Sequence, residues 1–228
     1  MTTRTAAESR ADYEQVMGVE LGGIYAELVQ ELCSIYLVWG QYRILFGTTE
    51  ARVDLLNQAS GSFFRIVQDS LFDRVLLSIS RMTDRPSIGP HQTLTVQRIA
   101  GLIPDAAFAD TVRAKVGLAL KAEEFCRDWR NNRIGHNNLE HRLNPSAKPL
   151  KDATRLKVDE ALAAISNVLN ALSSHYLDSE TAFEHILPLH PDAEGLLYVI
   201  HDGVRAQDER RKKLEVGDFN IDDYPHGL

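Results

Sequence analysis

The amino-acid sequence predicts an all-α protein built as an antiparallel helical bundle. Apolar residues recur at helical spacing along most of the chain, and short loops rich in proline or glycine separate these segments. No run of alternating β-branched residues is bounded by turn residues. With 228 residues, of which 44% are hydrophobic, the chain is long enough for one sizeable core.

Six helices are predicted, over residues 11–46, 50–83, 95–102, 105–136, 154–176 and 192–215. The first two carry apolar stripes of residues three and four positions apart, and Gly47 suits the end of the first. Gly22 and Gly23 lower the helix propensity of the first helix, so a break there is the alternative. Prolines and glycine between Pro86 and Pro90 predict the loop that ends the second helix.

The later helices are delimited in the same way. Pro104 precedes the fourth helix, and Pro145 and Pro149 lie in the loop after it. The fifth helix has the most regular apolar stripe, whereas the last begins apolar, becomes highly charged and precedes an acidic stretch that predicts a mobile tail. We therefore predict one bundle domain over residues 11–180, followed by a C-terminal helix and tail over residues 181–228.

Composition excludes several classes of protein. No apolar stretch reaches the roughly 18 residues needed to span a bilayer, and the N-terminus lacks the apolar region of a secretory signal. The two cysteines lie within helical patterns, as buried free thiols in a reducing cytoplasm do. No zinc-ligand spacing, P-loop, Rossmann glycine pattern or nucleophile motif is present. We expect a cytoplasmic protein with no metal, no cofactor and no membrane partner.

The charge distribution is uneven. A net charge of −7 argues against a surface that binds nucleic acid throughout. Basic side chains nevertheless gather in one segment, which contains Arg127, Arg130, Arg133, His136, His141 and Arg142. Asp128 and Glu140 dilute this group, so a solvated helix face is the alternative interpretation.

One segment combines residues that can carry chemistry. In FCRDWRNNRIGHNN, Arg130 is followed by the polar Asn131, and His136 comes after five intervening residues. The stretch FRIVQDSLFDRVLLSISRMTDRP, a shorter helix and then this motif helix occur in that order. Over about residues 15–145, this arrangement resembles the abortive-infection-type branch of the HEPN superfamily.

The resemblance implies metal-independent cleavage of RNA, in which the 2′-hydroxyl attacks the neighbouring phosphorus and leaves a cyclic phosphate. It gives His136 the role of proton donor and acceptor, and Arg130 that of phosphate ligand. Asn131 would orient the histidine or bind phosphate. Supporting or RNA-binding roles are expected for Asn132, Arg133 and Asn137.

The resemblance also implies partners. Two copies of the motif usually meet across a dimer, so a homodimer with RNA as its substrate is expected, and a cognate antitoxin is a further candidate partner. Members paired with a nucleotidyltransferase antitoxin often carry a tyrosine two residues after the histidine. Asn138 occupies that position here, which argues against that specific partnership.

Helix geometry leaves the choice of cation open. On a regular helix, Arg130 and His136 are roughly 120° apart, whereas Arg133 and His136 share a face more closely. Arg133 is therefore an alternative working cation. The alternative to a regular helix is that Gly135 ends or distorts the helix just before His136. Arg81 and Asp84 are predicted to form a structural ion pair or cap at the end of the second helix.

Two functions remain open at this point. The first is an endoribonuclease that acts as a toxin or phage-defence effector. The second is a non-catalytic helical module that binds a protein partner or a nucleotide. An ion pair between Arg130 and a core carboxylate would favour the module.

Overall fold

The computed structural model describes residues 5–144, 146–186, 192–218 and 220. Its α-helices are α1 (Ala6–Met17), α2 (Val19–Phe46), α3 (Glu50–Met82), α4 (Ala106–Ala122), α5 (Glu124–Trp129), α6 (Leu139–Leu143), α7 (Arg155–Leu177) and α8 (Ala193–Glu215). Two 3₁₀ segments lie at Val96–Leu102 and Phe183–His185, and a π-helical turn at Arg130–Ile134. The all-α prediction is confirmed.

The loop after α3 contains a small hairpin. β1 (Ser87–Ile88) pairs antiparallel with β2 (His91–Gln92), so that Ser87 lies opposite Gln92. Gly89, between the strands, has a φ of 58°, a conformation that glycine adopts without steric cost. The predicted loop is therefore a short exposed ribbon.

The first predicted helix is two helices, and the break lies at Gly18 rather than at Gly22 and Gly23. Gly18 has a φ of 88° and ends α1. Gly22 instead lies where α1 approaches α2, because a Cβ there would be 2.5 Å from backbone atoms of Tyr13 and Glu14. The glycine is a close-packing position, which helix propensity alone does not reveal.

The predicted helix over residues 105–136 is also interrupted. Asp105 caps α4 by accepting hydrogen bonds from the amides of Ala107 and Phe108. α4 ends at Ala122, α5 follows from Glu124, and the π-helical turn ends at Ile134. His136 consequently lies after the helix and not on it, so the predicted helix end at residue 136 is wrong, and the alternative end at Gly135 is the one observed.

The chain divides into two compact units. The first comprises residues 1–39 and 71–187. Its core centres on α7, whose apolar stripe is completely buried at Val158, Leu162, Ile165, Leu169 and Leu172. Polar pairs join α2 to the same helix: Trp39 Nε1 donates to Asp159 Oδ1 at 2.7 Å, and the Tyr36 and Ser166 hydroxyl oxygens are 3.0 Å apart.

The second unit comprises residues 40–70 and 188–228. Within it, α3 bends at Ser60, whose backbone leaves the helical region. The start of α8 is held by the Ala193 amide, which donates to Gln41 Oε1 at 2.7 Å, and by the Arg52–Glu194 ion pair at 3.2 Å. The single domain over residues 11–180 stays a prediction, and most of the predicted tail lies outside the described residues.

One helix among the described residues has the length and apolar composition of a membrane span. It is α2, with a mean hydropathy of 1.2 in its most apolar window, of which 44% is buried inside the protein. Its Leu28 and Leu32 are fully buried. A core helix shows these same features.

Candidate functional site

A group of four charged side chains lies where the end of α3 contacts α5. Asp84 and Glu123 are 7% and 1% exposed, respectively. Asp84 Oδ1 accepts from Arg127 Nη1 at 3.0 Å and from Arg130 Nη1 at 2.5 Å. Arg127 Nη2 also donates to Glu123 Oε1 at 2.7 Å. These four residues, which we call the ion cluster, tie two arginines to two buried carboxylates.

The ion cluster arises from local helix geometry and from the end of α3. Glu123 and Arg127 are four residues apart, the spacing that brings side chains together on a helix. Arg127 Nη2 donates in addition to the Thr83 carbonyl oxygen at 3.0 Å. Carbonyl groups at the end of a helix lack partners within the helix, so Arg127 caps α3 from a distant part of the sequence.

Burial dominates the electrostatics of Glu123. It raises the pKa of the Glu123 carboxyl group, and the hydrogen bond from Arg127 offsets this only in part. Within the described residues, its second oxygen is buried and accepts no hydrogen bond. The site thus holds a carboxyl group whose charged form is poorly solvated.

Arg130 is anchored through one nitrogen. Nη1 bonds to Asp84 and lies 3.5 Å from Ser80 Oγ, while the side chain stays 26% exposed. Nε and Nη2 make no hydrogen bond to any residue that the structure describes. This contact with a buried carboxylate is the arrangement that was predicted to favour a non-catalytic module.

The segment after Arg130 is a π-helical turn rather than a regular helix. The Gly135 amide donates to the Arg130 carbonyl oxygen at 2.8 Å, five residues back. A Cβ at position 135 would lie 3.0 Å from that oxygen, so glycine suits the close approach. The angle expected between Arg130 and His136 on a regular helix therefore does not apply. Single π turns are rare in helices overall, and those that occur often lie at functional sites.

His136 and Asn131 are exposed. Neither makes a hydrogen bond or ion pair with the part of the chain that the structure describes. The structure therefore does not join either side chain to Arg130 by a direct contact. His136 begins a short non-helical segment that ends where α6 starts.

Three asparagines fix this segment. Asn132 donates to the Asp128 carbonyl oxygen at 3.0 Å and to its carboxylate at 2.9 Å. Asn138 donates to Asn132 Oδ1 at 2.8 Å and caps α6 by accepting from the Glu140 amide. Asn137 accepts from Arg142 at 2.9 Å. We call residues 136–138, held in this way, the motif loop.

Arg133 lies against an aromatic ring. Its guanidinium carbon is 4.8 Å from the centroid of the Trp129 ring, a cation–π distance. Trp129 is half-buried, and its Nε1 donates to the Lys151 carbonyl oxygen at 2.7 Å. Arg133 is exposed and has no carboxylate partner among the described residues. It remains a second cation beside the motif loop.

Sequence reasoning underestimated the ion cluster. Asp84 does form an ion pair at the end of α3, but with Arg127 and Arg130, while Arg81 is exposed and takes no part. Glu123 was not identified as part of a site. Its four-residue spacing from Arg127 was a usable signal, but burial could not be read from that spacing.

No group of three or more potential metal ligands occurs within residues 5–144, 146–186, 192–218 and 220. Cys33 and Cys126 are free thiols. Burial raises the pKa of both thiols. The chemistry that these residues offer is that of guanidinium, imidazole, carboxyl and amide groups.

Comparison of the sequence with models of protein families identifies the family of this chain. The model of the HEPN family described as AbiU2 matches residues 18–194, which include the ion cluster and the motif loop. The chain belongs to the abortive-infection-associated HEPN family AbiU2. Among curated proteins and solved structures, none shows significant similarity to this AbiU2-family chain.

Proposed function

We propose that this AbiU2-family protein is a metal-independent endoribonuclease in which Arg130 binds the reacting phosphate and His136 transfers protons. The observation that supports this most is the exposed His136 imidazole, directly after the π turn that begins at Arg130. Imidazole can accept and donate protons near neutral pH. A solvent-accessible imidazole that follows three arginines closely in sequence suits the cleavage of a phosphodiester.

The proposed step is a transfer within the RNA strand. His136 accepts the proton of the 2′-hydroxyl, whose oxygen bonds to the adjacent phosphorus. The bond from phosphorus to the 5′-oxygen breaks, that oxygen takes a proton from water as it leaves, and the His136 imidazolium returns its proton to the solvent. A 2′,3′-cyclic phosphate and a 5′-hydroxyl result, without any redox change or metal.

Arg130 suits the stabilisation of the charge that develops in this step. Asp84 holds Nη1, while Nε and Nη2 have no partner among the described residues. A guanidinium anchored at one nitrogen can still present other donors in a fixed fork to phosphate oxygens. Fixed donors aimed at developing charge are a major source of catalysis.

The proposal includes a homodimer that brings two motif loops together. Leu139 and Leu143 of α6 are 70% and 72% exposed, and they lie four residues apart directly after the motif loop. A second copy would cover this apolar pair. Light scattering would show a dimer for the wild type and a lower mass for a Leu139→Asp, Leu143→Asp variant. A wild-type monomer would contradict the dimer.

The biological role that we propose is a toxin or phage-defence effector that damages cellular RNA. The abortive-infection family supports this role. We place the activity in the cytoplasm, where the two free thiols stay reduced, and propose a cognate antitoxin that restrains it.

The decisive test is RNA cleavage in the presence of EDTA. The wild type is expected to cut single-stranded and structured RNA and to leave cyclic phosphate ends. Arg130→Ala and His136→Ala should each lose at least about a hundredfold in rate. His141→Ala, which changes a nearby histidine outside the motif, is the matched control. Intact RNA with the wild type, or equal cutting by all variants, contradicts the proposal.

A non-catalytic module is the second candidate function, and the Arg130–Asp84 pair favours it. In that case Arg130 only stabilises the fold. RNA would remain intact with the wild type, and Arg130→Ala would lower the melting temperature. Binding of a protein partner or nucleotide would then replace cleavage as the activity to measure.

A further inference from the structure

A polar groove lies between α2 and α3 in the first unit. Its lining includes Glu31, Ser34 and Val38 from α2, and Arg74, Ser78 and Arg81 from α3. The α3 residues are spaced four and three positions apart, so they share one face of that helix. We call this feature the arginine groove.

The two arginines of the groove are unpaired. Arg74 and Arg81 are exposed, and neither makes a hydrogen bond or ion pair with any described residue. By contrast, Arg65 on the same helix pairs with Asp69 at 3.1 Å. A spacing of seven residues places the two arginines two turns apart, about 10 Å along the helix axis. Unpaired guanidiniums in a row form a binding surface for anions.

The arginine groove leads toward the ion cluster. A second recess shares Glu31 and Arg81 with it and is also lined by Asp84, whose carboxylate holds Arg130. The negative charge of Asp84 is offset there by Arg127 and Arg130. The two recesses adjoin at Glu31 and Arg81, so Arg81 lies between Arg74 and the carboxylate that anchors the proposed phosphate ligand. We call the two adjoining recesses the path.

The dimensions and chemistry of this path favour a nucleic-acid backbone over an enclosed small molecule. The two recesses measure about 230 and 260 Å³, below the roughly 300 Å³ at which small-molecule pockets begin. None of the described residues that line them is aromatic, so base stacking has no platform there. Ser34 and Ser78 add hydroxyl groups without side-chain hydrogen bonds to the described residues.

We propose that the arginine groove binds the phosphates of single-stranded RNA and guides the strand to Arg130. This inference rests on the proposed ribonuclease function. Arg74 and Arg81 bind successive parts of the backbone with little preference for sequence. Glu31 opposes this charge and limits the affinity of the groove.

The test measures binding separately from cleavage. A labelled single-stranded RNA is titrated in EDTA against His136→Ala protein, and anisotropy is read at several salt concentrations. Arg74→Ala or Arg81→Ala in that background should each weaken binding about threefold, and both together about tenfold. The salt slope should fall by about 0.7 for each arginine removed. Glu31→Gln should strengthen binding.

Arg113→Ala is the matched control, because Arg113 lies on α4 and pairs with Asp110 at the surface. It should leave affinity and salt slope unchanged, and circular dichroism checks that every variant is folded. The inference is overturned if the double variant binds RNA as tightly as its parent with the same slope. It is also overturned if a polyglutamate peptide of equal charge displaces the RNA as well as unlabelled RNA does, which would indicate an acidic protein partner.

The proposal that the arginine groove binds RNA and the proposal that the protein is a ribonuclease fail in different measurements. RNA binding that depends on Arg74 and Arg81, without cleavage by the wild type, overturns the nuclease and retains the groove as an RNA site. The groove alone is overturned if the wild type cleaves RNA and the Arg74→Ala, Arg81→Ala variant with His136 intact cleaves it at the same rate and with the same Michaelis constant.

Discussion

The two arginines of the ion cluster are close in sequence to the motif loop, but the cluster and the loop differ in how they are held. The cluster joins the end of α3 to α5 through buried carboxylates, so residues more than 40 positions apart fix one another. The motif loop is held by short-range hydrogen bonds among asparagines and leaves His136 exposed. The ion cluster therefore has buried carboxylates and long-range contacts, whereas the motif loop leaves its imidazole open to solvent.

This difference explains how one short segment can carry both an anchored and an accessible residue. Arg130 begins the π turn and belongs to the ion cluster, whereas His136 follows that turn and belongs to the motif loop. Gly135 separates the two environments. A regular helix through this segment would have continued the backbone ladder past the histidine.

The largest expected effect tests whether the ion cluster stabilises the fold. Asp84→Ala leaves two arginines without their shared carboxylate and should lower the unfolding free energy by about 2–3 kcal/mol. The value lies below the range for a fully buried pair because Arg127 and Arg130 are 33% and 26% exposed. Urea denaturation measures it.

His136→Ala is the control from the other region. Its side chain is exposed and unpaired among the described residues, so stability should change by less than about 0.5 kcal/mol. If Asp84→Ala and His136→Ala lose equal unfolding free energy, the ion cluster does not stabilise the fold more than the motif loop does.

A smaller effect is expected at the junction. In Gly135→Ala, the new Cβ approaches the Arg130 carbonyl oxygen that closes the π turn, and we expect a loss of about 1–2 kcal/mol. Gly117→Ala on α4 is the control, because a Cβ there meets nothing within 4 Å. It should be neutral or stabilising by up to about 1 kcal/mol. Thermal melts of the two variants that shift in the same direction would contradict a tight π turn.

The smallest effect concerns pH. Because burial raises the pKa of Glu123, the native state binds its proton more tightly than the unfolded state does. This contribution to stability is complete below the ordinary glutamate pKa of about 4.3 and is lost as the pH rises through the raised pKa. The unfolding free energy of the wild type should therefore fall relative to Glu123→Gln over that interval.

Glu124→Gln is a neighbouring control, because the pKa of Glu124 is shifted in the opposite direction to that of Glu123. Lys151 lowers the pKa of the exposed Glu124 through a hydrogen bond and its charge. Its contribution is present above the ordinary glutamate pKa and is lost as the pH falls through the lowered pKa. Denaturation series at several pH values should show the two trends diverging, and parallel trends would contradict the assigned environments.

Predictions from sequence succeeded where local signals are strong. Thr154 caps α7 and its apolar stripe is buried, so this helix was predicted within one residue at each end. A comparison of Gly18 with Gly22 shows the limit of prediction from local propensity. Both glycines weaken a helix equally by propensity, but one is a turn and the other a contact with α1.

The all-α class, most helix positions and the Arg130–His136 motif are predictable from the sequence alone, because apolar periodicity, capping residues and motif spacing are local properties. The burial of Asp84 and Glu123 beside Arg127, the anchoring of Arg130 and the π turn before His136 appear only in the folded chain. These features depend on contacts between distant segments and on burial, and the free energy of a charged group is set by those surroundings rather than by its neighbours in sequence.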